Sequence, residues 1–274
     1  MLKTRILTAL VFGPVLLAAV LLLPAAWFAI FMSAALVIGG WEYTALCGFS
    51  SLRVRWPLTL LYGLAIAASA WALYRQGIAP EARLLLLALA GIWMIGFSRL
   101  RAGPNQDYGQ AWQLSGVLFS LAMLAGTWFA LIWLRYQPNG NWWILTLLLT
   151  IWVADVGAYF SGRTLGKHKL APAISPGKTW EGVAGALILS PLIVVGLSWW
   201  LPLGEVNRLA LLALCLFTVM VSVGGDLYVS LHKRSVGLKD SGNLFPGHGG
   251  FLDRFDSLLA GAAFFALGKI LFHL

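Results

Sequence analysis

Charge and cysteine are both scarce in this chain. Asp, Glu, Lys and Arg make up only 11% of its 274 residues, and its two cysteines, Cys47 and Cys215, lie in or at the end of apolar runs. Two isolated cysteines define neither a disulfide framework nor a metal site, so they read as packing groups. So little charge, with 60% hydrophobic residues and a mean hydropathy of +0.83, excludes a soluble globular domain. There is no alternating apolar/polar pattern of a membrane barrel, no low-complexity linker and no clear internal repeat. Nucleotide and nucleophile signatures are missing too. Gly177-Lys178-Thr179 imitates the end of a phosphate-binding loop, but Pro172 stands where its first glycine belongs. The run GRTLGKH has the wrong spacing, and no nucleophile elbow supports Ser-His-Asp chemistry.

What the chain has is apolar length. Nine hydrophobic runs near the length of a bilayer crossing recur at about 4–23, 25–47, 56–74, 82–98, 111–134, 142–161, 183–203, 207–231 and 251–272. They predict an all-α polytopic membrane protein, 1–274 forming a single membrane domain. Residues 1–140 are expected to be a helical scaffold, and 141–274 to carry the polar segments. The first run follows Lys3 and Arg5 but leads straight into a second span, which favours a retained helix over a cleaved signal. Many of the tryptophans, including Trp27, Trp56, Trp142, Trp143, Trp199 and Trp200, fall near span ends, as in an interfacial aromatic belt.

The net charge of +9 is a matter of topology rather than of nucleic-acid binding. Alternating sides across nine spans puts fourteen Lys and Arg on the N-terminal side and five (Arg75, Arg83, Arg135, Arg208 and Lys269) on the other. That asymmetry predicts a cytoplasmic N-terminus. The remaining basic excess suits anionic lipid or a phosphate substrate.

Polar residues concentrate late in the chain, in segments 162–182 and 232–250, both assigned to the cytoplasmic side. Six of the ten acids lie in or beside them: Asp155, Glu181, Asp226, Asp240, Asp253 and Asp256. Asp155 sits at membrane depth, where a carboxylate is costly unless paired, hydrated or used. Tyr159 and Gly162 share its helical face at i+4 and i+7. Arg163, Lys167, His168, Lys169 and Lys178 follow among glycines and prolines, a composition that can approach phosphates closely. In VSVGGDLYVSLHKR, Asp226, Ser230 and Lys233 fall at i, i+4 and i+7, and Gly224 and Gly225 permit close approach beside the aspartate. Asp253 and Asp256 open the last span on one face. Carboxylates from two helices suit a hard cation such as Mg²⁺, and the amides at the start of the last helix suit an anion. The plainer reading has Asp253 and Asp256 capping that helix and pairing with Arg254 or Lys239. His168 and His232 read as solvated, whereas His248 stands in a glycine-rich turn open to a ligand. Glu42, in GGWEYTAL, is a further acid at membrane depth, a candidate for helix packing or a lipid site.

The stretch SLHKRSVGLKDSGNLFPGHGGFLDRFDS at 230–257, with the upstream GDL and SPGKTWEG, closely resembles the signature of phosphatidate cytidylyltransferases, integral membrane enzymes that make CDP-diacylglycerol. The motif resemblance covers about 150–257. The first half matches in its multi-span character and a short WEY element. The resemblance implies attack of the phosphatidate phosphate on the α-phosphorus of CTP, with pyrophosphate released, for phospholipid biosynthesis in a bacterial inner membrane. It implies Mg²⁺, held by Asp226, Asp253 and Asp256, with room for a second cation. Lys233, Arg234, Lys239 and Arg254 would neutralise phosphate, with Asp240 and His248 beside them. Asp155, Tyr159, Ser175, Lys178, Thr179, Glu181 and Ser230 would bind substrate. CTP, phosphatidate and membrane lipids are the implied partners; nucleic acid is not, and a homo-oligomer is left open. One position departs from the pattern: Val229 stands where the family commonly has an acid. That leaves a weakened or altered-substrate relative as one alternative. A transporter or channel with an acidic ion path is the other, and it predicts polar residues reaching both faces. The spaced aspartates of a CDP-alcohol phosphotransferase are not found.

Overall fold

The computed structural model describes residues 2–76, 81–104, 110–245, 247 and 249–274. Nine long helices appear among the described residues: α1 Leu2–Leu22, α2 Ala25–Leu46, α3 Leu52–Gln76, α4 Glu81–Ser98, α5 Gln110–Arg135, α6 Gly140–Leu165, α7 Trp180–Leu197, α8 Arg208–Ser235 and α9 Leu252–Leu271. They follow the nine apolar runs in order. Seven of them, α2 to α8, are long and apolar enough to cross a membrane, and the described apolar part of α1, Val11–Leu22, is shorter.

The ninth helix differs for a physical reason. Its N-terminal turns carry Asp253, Arg254 and Asp256, and nearly all of Leu252–Lys269 is buried in the bundle. Protein rather than lipid surrounds it, so alanines and glycines do the work that leucines do on an outer helix. A methyl at Gly225 of α8 would sit 3.0 Å from the Asp256 carbonyl oxygen, a measure of how closely those two helices pack. Thr127 of α5 donates to Leu259 O of α9 at 3.0 Å. On the outside, α3 and α7 present exposed Leu60, Leu64, Ile188 and Leu192, as lipid-facing helices do.

One detail departs from all-α and a second from the expected span ends. The segment after α6 is not simple loop: β1, Lys169–Ala171, pairs antiparallel with β2, Ser175–Thr179, in a two-stranded hairpin. And α8 runs about a turn beyond the expected end of its span, which carries His232 and Lys233 into the protein. The hairpin packs back on that extension, where Arg234 donates to Ile174 O at 3.3 Å and Ile174 clusters with Leu227 and Leu231. The two polar segments therefore meet at one end of the bundle.

Candidate active site

The predicted face of α6 forms as expected. Asp155, Tyr159 and Gly162 all line a cavity of about 340 Å³ between α6, α7, α8 and the hairpin. Small residues make room for it. A methyl at Gly182 of α7 would lie 2.9 Å from Ala158 O of α6, so these helices touch backbone to backbone. Ser190 ties them further along by donating to Thr150 O at 2.6 Å.

Strand alternation sorts the residues at the end of β2. Thr179 turns inward and caps α7, its Oγ1 accepting from Gly182 N at 3.1 Å. Lys178 reaches across to α8, where its Nζ lies 2.5 Å from Asp226 Oδ2. Asp226 Oδ1 accepts from Ser230 Oγ at 3.2 Å, so the i, i+4 pair read from the sequence is made. Ser175 sits at the start of β2, half-buried. Glu181 faces outward instead, holding His168 Nδ1 at 2.6 Å and the His168 amide at 3.2 Å. It is a strut fastening the hairpin to α7.

A second cavity, of about 250 Å³, lies between α1, α6 and α9 and is lined by Asp155, Asp253, Arg254 and Asp256 together with apolar side chains. Asp155 and Ser257 line both cavities. Asp155, Asp226 and Asp256 are within electrostatic range of one another and of Lys178.

Asp253 is the best-satisfied carboxylate here. Its Oδ1 accepts from Lys233 Nζ at 2.7 Å, and its Oδ2 accepts from Ser241 N and Gly250 N at 2.8 Å and from Ser241 Oγ at 3.1 Å. The side chains of the pair are only 9% and 5% exposed. Asp253 thus accepts from the turn just before α9 rather than from an amide of the helix, and its ion-pair partner is Lys233 rather than Arg254 or Lys239. Gly249 makes the turn possible: its φ is +80°, and a methyl there would collide with the Asp253 carboxylate.

Behind Asp253 stands Glu42, 4% exposed, from α2. It accepts from Phe251 N at 2.8 Å, Leu252 N at 2.9 Å and Ser241 Oγ at 2.7 Å. This corrects the expectation that the start of α9 is open to a substrate anion, because Glu42 already accepts from the Phe251 and Leu252 amides and Asp253 from Gly250 N just before them. The favourable match of carboxylate and helix N-terminus is real, but the carboxylate is the protein's own. Glu42 settles as a packing residue, and the first half of the chain helps to build the site.

His232 corrects another expectation. It is fully buried rather than solvated, stacked on Trp112 at 4.9 Å, with Nδ1 3.1 Å from Tyr228 O. Lys239 and Asp240 are exposed on the loop, Arg234 is half-buried against the hairpin, and His248 lies outside the described residues. Arg163, one of the basic residues expected to approach phosphate, donates to Tyr159 Oη at 2.8 Å and lines the larger cavity, and Ser257 lines both cavities without having been named as a candidate. The only sequence signal for Ser257 was its helical spacing from Asp253.

The profile of the Cytidylyltransferase family matches residues 3–271. The chain belongs to the cytidylyltransferase family. Among curated relatives, a phosphatidate cytidylyltransferase of Pseudomonas aeruginosa is 42% identical over 268 residues, covering 97% of this chain and 96% of the relative. One from Haemophilus influenzae is 35% identical over 286 residues, covering 97% and 98%. One from Brucella suis is 37% identical over 209 residues, covering 69% and 70%. The family therefore extends over the first half of the chain as well as the signature. The departure at Val229 also finds its place in this cytidylyltransferase. The side chain is fully buried in the apolar core beside Tyr228 and lines neither cavity. A valine there leaves the carboxylates around Asp155 untouched.

Proposed function

We propose that this chain is a phosphatidate cytidylyltransferase, transferring the cytidylyl group of CTP to phosphatidate to give CDP-diacylglycerol and pyrophosphate. The observation that carries the reading is the meeting of two cavities at Asp155, one walled by the polar hairpin and one mostly apolar. A reaction between a water-soluble nucleotide and a lipid needs such a junction. A transporter reading gains nothing from the geometry, because the cavity acids gather with the hairpin at one end of the bundle.

In the reaction an existing phosphate oxygen of phosphatidate attacks the α-phosphorus of CTP. The new P–O bond forms as the bond from that phosphorus to the bridging oxygen breaks, and pyrophosphate leaves. No protein nucleophile is required, so the protein's part is positioning and charge. Lys178 and Arg163 border the larger cavity and suit the triphosphate, while Arg254 borders the smaller one and suits the lipid phosphate.

The charge balance bears on the metal. Lys178 compensates Asp226 and Lys233 compensates Asp253, which leaves Asp155 and Asp256 facing incoming phosphates without an ion-pair partner among the described residues. Mg²⁺ takes one or two carboxylates, with waters and phosphate oxygens completing its shell. The donors fit that chemistry. Among the described residues no group of three or more His, Cys, Asp or Glu side chains is placed to hold a metal ion, so at most two carboxylates would do so, with substrate oxygens and water supplying the rest. Asp226 and Asp256 are the residues proposed to hold the ion, with Asp155 beside them, and Asp253, enclosed with Lys233 and accepting four hydrogen bonds, is assigned a structural part. When bound, Mg²⁺ would withdraw charge from the phosphate oxygens.

The charge asymmetry of the sequence supports a cytoplasmic N-terminus and an active site on the cytoplasmic face of a bacterial inner membrane. Single cysteines at positions 167 and 239 test it, because Cys47 and Cys215 are fully buried and should stay silent. In oriented vesicles an impermeant maleimide is expected to label both positions from the cytoplasmic side. Labelling from opposite sides would break the shared site.

Transfer itself is tested by supplying the purified protein with CTP and phosphatidate. One pyrophosphate is expected per liponucleotide formed, and absence of both products would overturn the assignment.

A further inference from the structure

Resting on that reading, we infer that the groove between α1 and α6 is the seat of the acceptor lipid, and that Gly13 is the residue that keeps it open. The groove and the larger cavity share Asp155 but differ in character. Gly13 and Leu16 of α1 face Leu148, Ile151 and Trp152 of α6, and Arg254 of α9 stands at the polar end. Phe12 packs edge-on against Phe245 and Phe255, at 5.0 and 5.8 Å between ring centroids, and closes one side. An apolar wall ending in a cation and in the shared carboxylate matches a molecule with an apolar body and an anionic head. It does not match a nucleotide, whose base and ribose would leave these walls without polar partners.

Size narrows the occupant. About 250 Å³ lies below the range of pockets that enclose a drug-sized ligand, roughly 300–1,000 Å³. The phosphate, the glycerol and the first acyl carbons fit such a space, and two full acyl chains do not. The chains must continue outside along the exposed Val11 and Val15 of α1. Gly13 lines the groove and has no heavy atom within 4 Å of where a Cβ would stand, so a larger side chain there meets open space rather than neighbouring atoms and has room to fill part of the groove. The adjacent Pro14 lies inside α1, where it removes a main-chain hydrogen bond and favours a bend.

A Gly13→Leu variant is expected to raise the KM for long-chain phosphatidate roughly tenfold, the scale of a few methylenes misplaced in an apolar site, with the KM for CTP unchanged. A Gly13→Cys variant gives a second readout that does not depend on tolerance of leucine. Its reaction with a maleimide should be slowed by phosphatidate micelles and not by CTP. A rise in the KM for CTP, or protection by CTP alone, would assign the groove to the nucleotide and overturn the inference. Unchanged KM values in Gly13→Leu, or no protection in Gly13→Cys, would overturn it too. A parent enzyme with no transfer activity would instead remove the functional reading, a distinguishable failure.

Discussion

Replacing Asp226 by Asn is expected to lower kcat by roughly a hundredfold or more, the scale of losing one preorganised electrostatic group at a reacting centre. The fold should survive. Lys178 and Asp226 are 26% and 24% exposed at the side chain, so the ion pair is more open to water than that of Lys233 and Asp253, and its loss should cost much less stability than the loss of that enclosed pair. Asn keeps the size of the side chain and an oxygen for Ser230, but removes the charge that holds Lys178 and would draw a divalent cation. Kinetics should therefore change while the melting temperature in detergent hardly moves. Adding Asp256→Asn should cost little beyond the single change, because groups serving one ion act as a unit. If Asp226→Asn melted early and the surviving protein turned over normally, Asp226 would be a structural residue and the metal assignment would fall.

The opposite balance is expected at Lys233. Its ion pair with Asp253 is almost completely enclosed, and removing one partner leaves a buried charge uncompensated. Lys233→Met should destabilise the protein by about 3–5 kcal/mol. Asp253→Leu should be worse, because Ser241 N, Gly250 N and Lys233 all lose their acceptor at once. Thermal unfolding in detergent, followed by the loss of helical signal, reads both. A Lys233→Met protein as stable as the parent but inactive would return Lys233 to the phosphate-binding role that its place in the signature suggests.

These two lysines mark where sequence reading succeeds and where it stops. The helices were legible because nothing but a buried or lipid-facing helix explains apolar runs of that length. The faces were legible because helical period alone joins Asp155 to Tyr159 and Asp226 to Ser230. Partners between elements were not. Spacing placed Lys233 beside Asp226 on α8, yet it reaches Asp253, twenty residues on, because α8 extends a turn further than hydropathy indicated. Glu42 and Ser241 are 199 residues apart, and no local pattern announces that a carboxylate on α2 caps α9. The hairpin escaped because β2 reads Ser-Pro-Gly-Lys-Thr, a poor strand by propensity, and it is held by Glu181 and by packing on α8. The same tertiary ties make Glu181 a strut and Thr179 a cap that still lines the larger cavity, and leave Lys178 as the residue of that element aimed at the carboxylates.

The most direct measurement is to give the purified enzyme CTP carrying ³²P at either the α or the γ position, with phosphatidate and Mg²⁺, and to separate lipid from aqueous products. Transfer through the junction at Asp155 predicts α-label in the lipid fraction, γ-label only in pyrophosphate, and both products formed roughly a hundredfold or more slowly by Asp226→Asn. Label from the γ position in the lipid, or undiminished transfer by the Asp226 variant, would contradict the account.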